Sequence, residues 1–314
     1  MFRRSFLLPV TLVLLLASTG AQANDKLTLL LDWFINPDHA PLLVAQERGY
    51  FAAHGLDVEI IAPADPNDPP KLVAAGKADI ALSYQPQLYV QVAAGLPLTR
   101  FGTLIATPLN TLLVLEDGPV KSIADLKGRK VGYSIGGFED ALLSAMLARH
   151  GLSLDDITLV NVNFSLSPAL LSGQVDAVIG AYRNFELNQM DIEGHTGRAF
   201  YVEEEGVPSY DELILVANTE RMNRAVLRRF LDALEDGVQY LVNHPNESWA
   251  LFIRGRSELD DELNRRAWRD TLARFALRPA ALDRARYARF AHFMYEQGLI
   301  PEALSVDDYA TILE

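Results

Sequence analysis

The chain has 314 residues, with 28 basic and 41 acidic side chains, a formal net charge of −13 and no cysteine. That length suffices for two domains with a substantial core. The acidity makes the chain a poor partner for nucleic acid. The missing thiols exclude disulfides, cysteine catalysis and a lipid-anchored cysteine.

The first 23 residues read as a cleavable export signal. Arg3 and Arg4 start it, Phe6–Ala17 is apolar, and Ala21-Gln22-Ala23 is a small-residue cleavage site. The apolar run is too short to span a membrane. Arg3-Arg4-Ser5-Phe6-Leu7 is similar to a twin-arginine signal, whereas the strong hydrophobicity of the run favours the general secretory route. Cleavage removes two arginines and takes the formal charge from −13 to −15. A periplasmic protein is the expectation.

Strands and helices then alternate. Lys26–Leu31 predicts a strand, Ala40–His54 a helix with Pro41 in its first turn, and Asp57–Ile61 a strand. Pro70–Ala75 predicts a short helix, Ala78–Ser83 a strand and Gln85–Ala94 a helix. Leu98–Ile105 and Thr111–Leu115 follow as strands leaving the first lobe. A second series begins near Lys121: a short helix Ile123–Leu126, strand Lys130–Tyr133, helix Glu139–His150, strand Ile157–Val162, helical turn Pro168–Ser172 and strand Ala177–Ala181. Glu212–Asn218 returns the chain to the first lobe. From Thr219 onward the pattern is helical and charged, which reads as a solvated helical surface packed on the first lobe. The alternation predicts an α/β protein with mostly parallel sheets and helices on both faces.

One phrase occurs twice. Ala75-Gly-Lys-Ala-Asp-Ile-Ala-Leu82 and Ser172-Gly-Gln-Val-Asp-Ala-Val-Ile179 share a turn glycine, an Asp and a short apolar strand. Each follows a His-Gly-Leu, at His54 and at His150. The spacing is too long for a solenoid and fits two lobes on one plan. The division expected is a signal at 1–23, a first lobe of 24–112 plus 213–314, and a second lobe of 113–212, with a ligand cleft between.

Four segments are candidates for that cleft. Asp32–His39 follows a strand and precedes a helix, at the sheet edge where open α/β sheets bind ligands. Asp32, Trp33, Asn36 and His39 offer a flat face and polar groups, or else Trp33 and His39 simply pin the loop. Tyr84 follows the first repeat copy and can stack on a ring or serve as an interfacial residue behind a helix cap at Ser83. Gly136 and Gly137 let backbone amides approach a ligand, and Phe138 and Glu139 open a helix behind them; an ordinary strand-to-helix turn has the same composition. Tyr182, Asn184 and Glu186 follow the second repeat copy. Glu186 can accept hydrogen bonds from an exocyclic amino group or favour the dipole of a helix start. No catalytic motif is present, and the six histidines lack metal-ligand spacing. His54 and His150 suit helix C-termini. No cofactor, metal or catalytic residue is expected.

These segments resemble the NMT1/THI5-like family, in its branch of periplasmic binding proteins for pyrimidine precursors of thiamin (ThiY-like). The matching stretches are Leu31-Asp32-Trp33…Asn36…His39, Ala45…Glu47-Arg48-Gly49-Tyr50-Phe51, Val73–Ile80, Ser83-Tyr84-Gln85-Pro86, Ser172–Ala177 and Arg183-Asn184-Phe185-Glu186-Leu187. The resemblance implies a type II periplasmic binding protein fold, acting as a monomer that delivers a formylated aminopyrimidine, or hydroxymethylpyrimidine, to an ABC permease and its ATPase. It also implies aromatic side chains that sandwich the ring and a Glu186 that reads its amino edge. Some family members are eukaryotic enzymes that make hydroxymethylpyrimidine with a cysteine-rich iron-linked motif. This chain has no cysteine, which disfavours an exported enzyme that makes or modifies pyrimidines. The same transport role for riboflavin, another flat ring or a sulfonate also fits the sequence. So does a sensor that presents its ligand to a membrane receptor.

Overall fold

The computed structural model describes residues 23–313. The expected export signal, apart from Ala23, lies outside the described residues. Among the described residues ten strands run in chain order: β1 (Asp25–Leu30), β2 (Leu56–Ile61), β3 (Ile80–Ser83), β4 (Leu98–Ile105), β5 (Asn110–Leu115), β6 (Lys130–Tyr133), β7 (Thr158–Asn161), β8 (Ala177–Tyr182), β9 (Gly197–Tyr201) and β10 (Leu213–Asn218). They form two five-stranded sheets, ordered β2-β1-β3-β10-β4 and β7-β6-β8-β5-β9.

The two orders correspond strand for strand. In the first sheet β1 pairs parallel with β2 and β3, and β10 lies antiparallel between β3 and β4. In the second, β6 pairs parallel with β7 and β8, and β5 lies antiparallel between β8 and β9. Each sheet therefore has four strands in one direction and one reversed strand. The reversed strand is the one that has just crossed from the other sheet. No helix lies in either connection, β4 to β5 or β9 to β10. All of β5 belongs to the second sheet, so the chain crosses before Asn110 rather than at 112. An apolar run marks a strand without saying which sheet it joins.

The repeated phrase does the same physical work twice. Gly76 and Gly173 both turn at positive φ, 68° and 72°, where a side chain is disfavoured. The aspartate that follows accepts an amide hydrogen from the neighbouring strand: Asp79 from Thr28 N at 2.8 Å, and Asp176 from Lys130 N at 3.0 Å. His54 and His150 cap the C-termini of matched helices and meet Asp236 and Glu205.

Some elements differ from expectation. The helix over 40–54 is two helices, Ala40–Glu47 and Tyr50–Ala53, separated by Gly49 at φ 72°. Strand β9 has no alternating apolar pattern, because every residue of this edge strand is only half-buried. The tail forms helices Arg224–Asn243, Pro245–Phe252, Glu262–Thr271, Arg284–Glu296 and Val306–Tyr309. Most pack on the first lobe. Arg224–Asn243 lies against Ala40–Glu47, and the last two lie against Gln85–Ala93. Glu262–Thr271 instead also reaches the second-lobe helix Glu186–Ile192, where Arg266 pairs with Asp191 and Asn188 Nδ2 donates to Asp270 at 2.8 Å.

The two chain crossings are tied to each other. Buried Glu212, entering β10, accepts from the amides of Leu109 and Asn110 at 2.6 and 3.0 Å, and from Tyr210 Oη at 3.1 Å. Its neighbour Asp211 accepts from Thr103 Oγ1 and Tyr287 Oη, both at 2.7 Å, and pairs with Arg286. Burial raises the Glu212 carboxyl to about 7, against the opposing pull of those amides.

Candidate functional site

The loops after β1, β3, β6 and β8 meet between the sheets, at the carboxyl ends of parallel strands. They enclose a cavity of ≈ 430 Å³ including its solvent-open mouth. Of the residues singled out from the sequence, Asp32, Trp33, Asn36, Tyr84, Phe138, Glu139, Tyr182 and Glu186 line it.

From the first lobe, Asp32 Oδ2 accepts from Tyr84 Oη at 2.8 Å, and Oδ1 meets His39 Nε2 at 3.0 Å. The Asn36 amide donates to His39 Nδ1 at 3.2 Å, so Nδ1 is the acceptor and the network assigns the proton to Nε2. His39 is fully buried and stands behind Asp32 rather than in the wall. Asn36 caps the turn Pro37–His39 by accepting from Asp38 N at 2.8 Å. Across the cleft, Trp33 meets Phe164 edge-on at 4.6 Å, and Tyr84 stacks on Phe138 at 4.5 Å with planes 7° apart.

From the second lobe, Glu139 and Glu186 each begin a helix and turn back on their own loops. Glu139 Oε2 accepts from Ser134 N at 2.7 Å and Ile135 N at 3.3 Å; Glu186 Oε2 accepts from Tyr182 N at 2.6 Å. Burial raises both carboxyls to about 8, and the amide hydrogen bonds only partly offset it. Both are therefore mostly protonated at pH 7, able to donate as well as accept. Burial, then the nearby Asp32 charge, lifts the Tyr84 phenol well above its ordinary range. Burial, then Glu212, does the same for Tyr182, whose hydroxyl has no partner among the described residues. Gly180 lies under Glu139 at φ +99°, where a Cβ would overlap the carboxyl.

Gly136, Gly137 and Asn184 do not line the cavity. The Gly136 amide, expected to approach a ligand, instead donates to Asn67 Oδ1 at 3.1 Å, while Asn67 Nδ2 donates to Ser134 O at 3.1 Å. Asn67 belongs to the Pro- and Asp-rich loop of the first lobe, so this pair latches one lobe to the other. Gly137 sits at φ +77° beside Val90. Asn184 Nδ2 bridges the cleft to Asp38 Oδ1 at 2.6 Å and Thr271 Oγ1 at 2.7 Å.

Asp38, Ile135, Leu166, Gly180 and Phe185 also line the cavity and were not singled out. Asp38 is raised to about 6, chiefly by burial, and its Oδ2 has no partner among the described residues. Its place in the Asp32–His39 loop was the available signal. Among the described residues no Lys, Arg or His lines the cavity, whereas four carboxyl groups do. Among the described residues no group of His, Asp or Glu is placed to hold a metal ion.

The family model described as NMT1/THI5 like matches residues 36–248. A Haemophilus influenzae protein named for thiamine biosynthesis is 56% identical over 293 residues, covering 93% of each chain. A formylaminopyrimidine-binding protein of Halalkalibacterium halodurans is 35% identical over 76% of this chain and 72% of its own. A 4-amino-5-hydroxymethyl-2-methylpyrimidine phosphate synthase of Saccharomyces cerevisiae is 27% identical over 81% of this chain and 78% of its own. The solved alkanesulfonate-binding protein SsuA of Xanthomonas axonopodis pv. citri superposes with a TM-score of 0.72 at 19% identity, covering 93% of this chain and all of that one. The fold is the two-lobed periplasmic binding protein fold, and by sequence the chain belongs to the NMT1/THI5-like family.

Proposed function

We propose that this protein is the periplasmic solute-binding component of an ABC importer, and that its ligand is a thiamin pyrimidine precursor: N-formyl-4-amino-5-aminomethyl-2-methylpyrimidine or hydroxymethylpyrimidine. The observation that carries this reading is a cavity that joins flat aromatic faces to buried, protonated carboxyls with no basic side chain in its wall. A 4-aminopyrimidine presents an amino donor beside a ring-nitrogen acceptor. A carboxylic acid presents a hydroxyl donor beside a carbonyl acceptor, so the two edges complement each other. Trp33, Tyr84, Phe138 and Tyr182 supply stacking surface.

The wall disfavours a sulfonate. An anion would meet four carboxyl groups and no cation, and the Gly136 amide is spent on Asn67. Fold similarity to a sulfonate binder does not carry its ligand across. Hinge motion about the two crossings tied by Glu212, with the Asn67 latch re-forming on closure, is the mechanism we assign to capture and release. The permease then recognises the closed form.

The yeast relatives favour a second reading, a pyrimidine-forming enzyme. Two measurements separate the two. Native mass spectrometry of protein purified from periplasm should reveal a pyrimidine-sized adduct, and incubation with pyrimidine precursors should return them unaltered. A new product mass on incubation would replace the binding role with an enzymatic one.

A further inference from the structure

Beyond the wall formed by Leu166, Phe185 and Glu186 lies a second compartment of ≈ 770 Å³, including its open mouth, that shares those residues with the inner cavity. Phe34 closes it, with ring centroids 6.3 Å from Phe164 and 5.9 Å from Phe185, and is 41% exposed. Three of its polar wall residues, Ser167, Glu186 and Asn264, are buried. Ser167 (1% exposed) and Asn264 (6%) line the compartment, and each has a side-chain oxygen without a partner among the described residues. Asn264 is held in orientation because its Nδ2 donates to Asp261 Oδ1 at 3.0 Å, which leaves Oδ1 as a free acceptor. Asp261 and Glu186 are the ionisable groups in the wall, and among the described residues no Lys, Arg or His lines it. Three phenylalanines beside the Asp261 carboxyl group, with no positive charge in the wall, are the chemistry that attracts a cation.

We propose that this outer compartment is a second subsite built for a cationic nitrogen group, so that the cleft accepts flat-ring ligands carrying a positively charged arm. The arm would pass the shared wall while the ring occupies the inner cavity. That tethered form rests on the reading of the inner cavity as a ring site; the cage itself does not.

The cage is tested with choline and its neutral isostere 3,3-dimethylbutan-1-ol, following the aromatic NMR signals of the wild-type protein. Choline should shift the Phe34, Phe164 and Phe185 resonances saturably, and the isostere should bind several-fold more weakly. Phe34→Leu keeps the apolar bulk at a partly exposed position and should weaken choline by about 2- to 5-fold per lost aromatic face; Phe164→Leu is the second variant. Equal responses to choline and isostere, no response to either, or unchanged choline binding in both variants would overturn the proposal. Hydroxymethylpyrimidine, which has no cationic arm, should bind Phe34→Leu like the wild type. If it fails to bind the wild type at all, the ring-site reading falls while the choline result still decides the cage.

Discussion

Glu186→Gln should stabilise the ligand-free protein, and the gain should grow with pH. Glu186 is 7% exposed, and its carboxyl is raised from 4.5 to about 8, mainly by burial. A carboxyl raised in the folded state binds its proton more tightly there than in the unfolded chain. The sign follows: no penalty below pH 4.5, a growing penalty between 4.5 and 8 as only the unfolded chain ionises, and a constant penalty above 8. At 1.36 kcal/mol per unit, the penalty is about 3 kcal/mol at pH 7 and about 1 kcal/mol at pH 5. Glutamine matches the shape of the protonated acid, and its oxygen can still accept from Tyr182 N. It removes the titration, so the variant should exceed the wild type by about 2 kcal/mol more at pH 7 than at pH 5. Urea unfolding of both proteins at the two pH values reads this difference directly. A stability difference that is the same at pH 5 and pH 7, or a wild type more stable at the higher pH relative to the variant, would refute the placement of a buried protonated acid at this position. Retention of such a costly group is what a binding site explains and a structural role does not.

Asn67→Ala removes both hydrogen bonds of the cross-cleft latch and should weaken pyrimidine binding by about 1–2 kcal/mol, with small-angle scattering showing a more open average form; an unchanged affinity would show that the latch plays no part in closure. Gly180→Ala places a Cβ onto the Glu139 carboxyl at a φ that favours glycine and should cost at least about 2 kcal/mol; an unaltered melting temperature would contradict the packing. Gly237→Ala gains about 1 kcal/mol of helix propensity, yet its Cβ would lie 2.8 Å from both Pro41 O and Ala45 Cβ. Backbone contact should win, giving a net loss in thermal stability, and a stabilised variant would show that the two helices can separate freely.

The two-lobed plan was legible because the repeated Gly and Asp act locally. Gly76 and Gly173 need only their own φ, and Asp79 and Asp176 reach the adjacent strand. The cavity wall was legible to the extent that it lies at strand ends: Tyr182 ends a strand, Asp32, Trp33 and Tyr84 stand in the loops just after strands, and Phe138, Glu139 and Glu186 stand at helix starts. What lay hidden depends on distant partners. Gly136 has a free-looking amide in sequence, and only a loop 69 positions away takes it. Asp38 looks like a solvated acid until Asn184 and Thr271, from the second lobe and the tail, cover it. His39 is turned behind Asp32 by the tight turn that Asn36 caps. The tail carries only generic helical periodicity, which cannot announce that Glu262–Thr271 bridges to the second lobe. The outer compartment likewise gathers Phe34, Phe164, Phe185 and Asn264 from four separate segments, and no local pattern joins them.

The most direct test of the central claim is a calorimetric titration of the purified protein with hydroxymethylpyrimidine, its formylaminomethyl counterpart and an alkanesulfonate, repeated with Glu186→Ala. The account predicts saturable binding of a pyrimidine, weakened by about 1–3 kcal/mol in the variant, and no binding of the sulfonate. Tight sulfonate binding, or pyrimidine binding unaffected by loss of the Glu186 carboxyl, would contradict it.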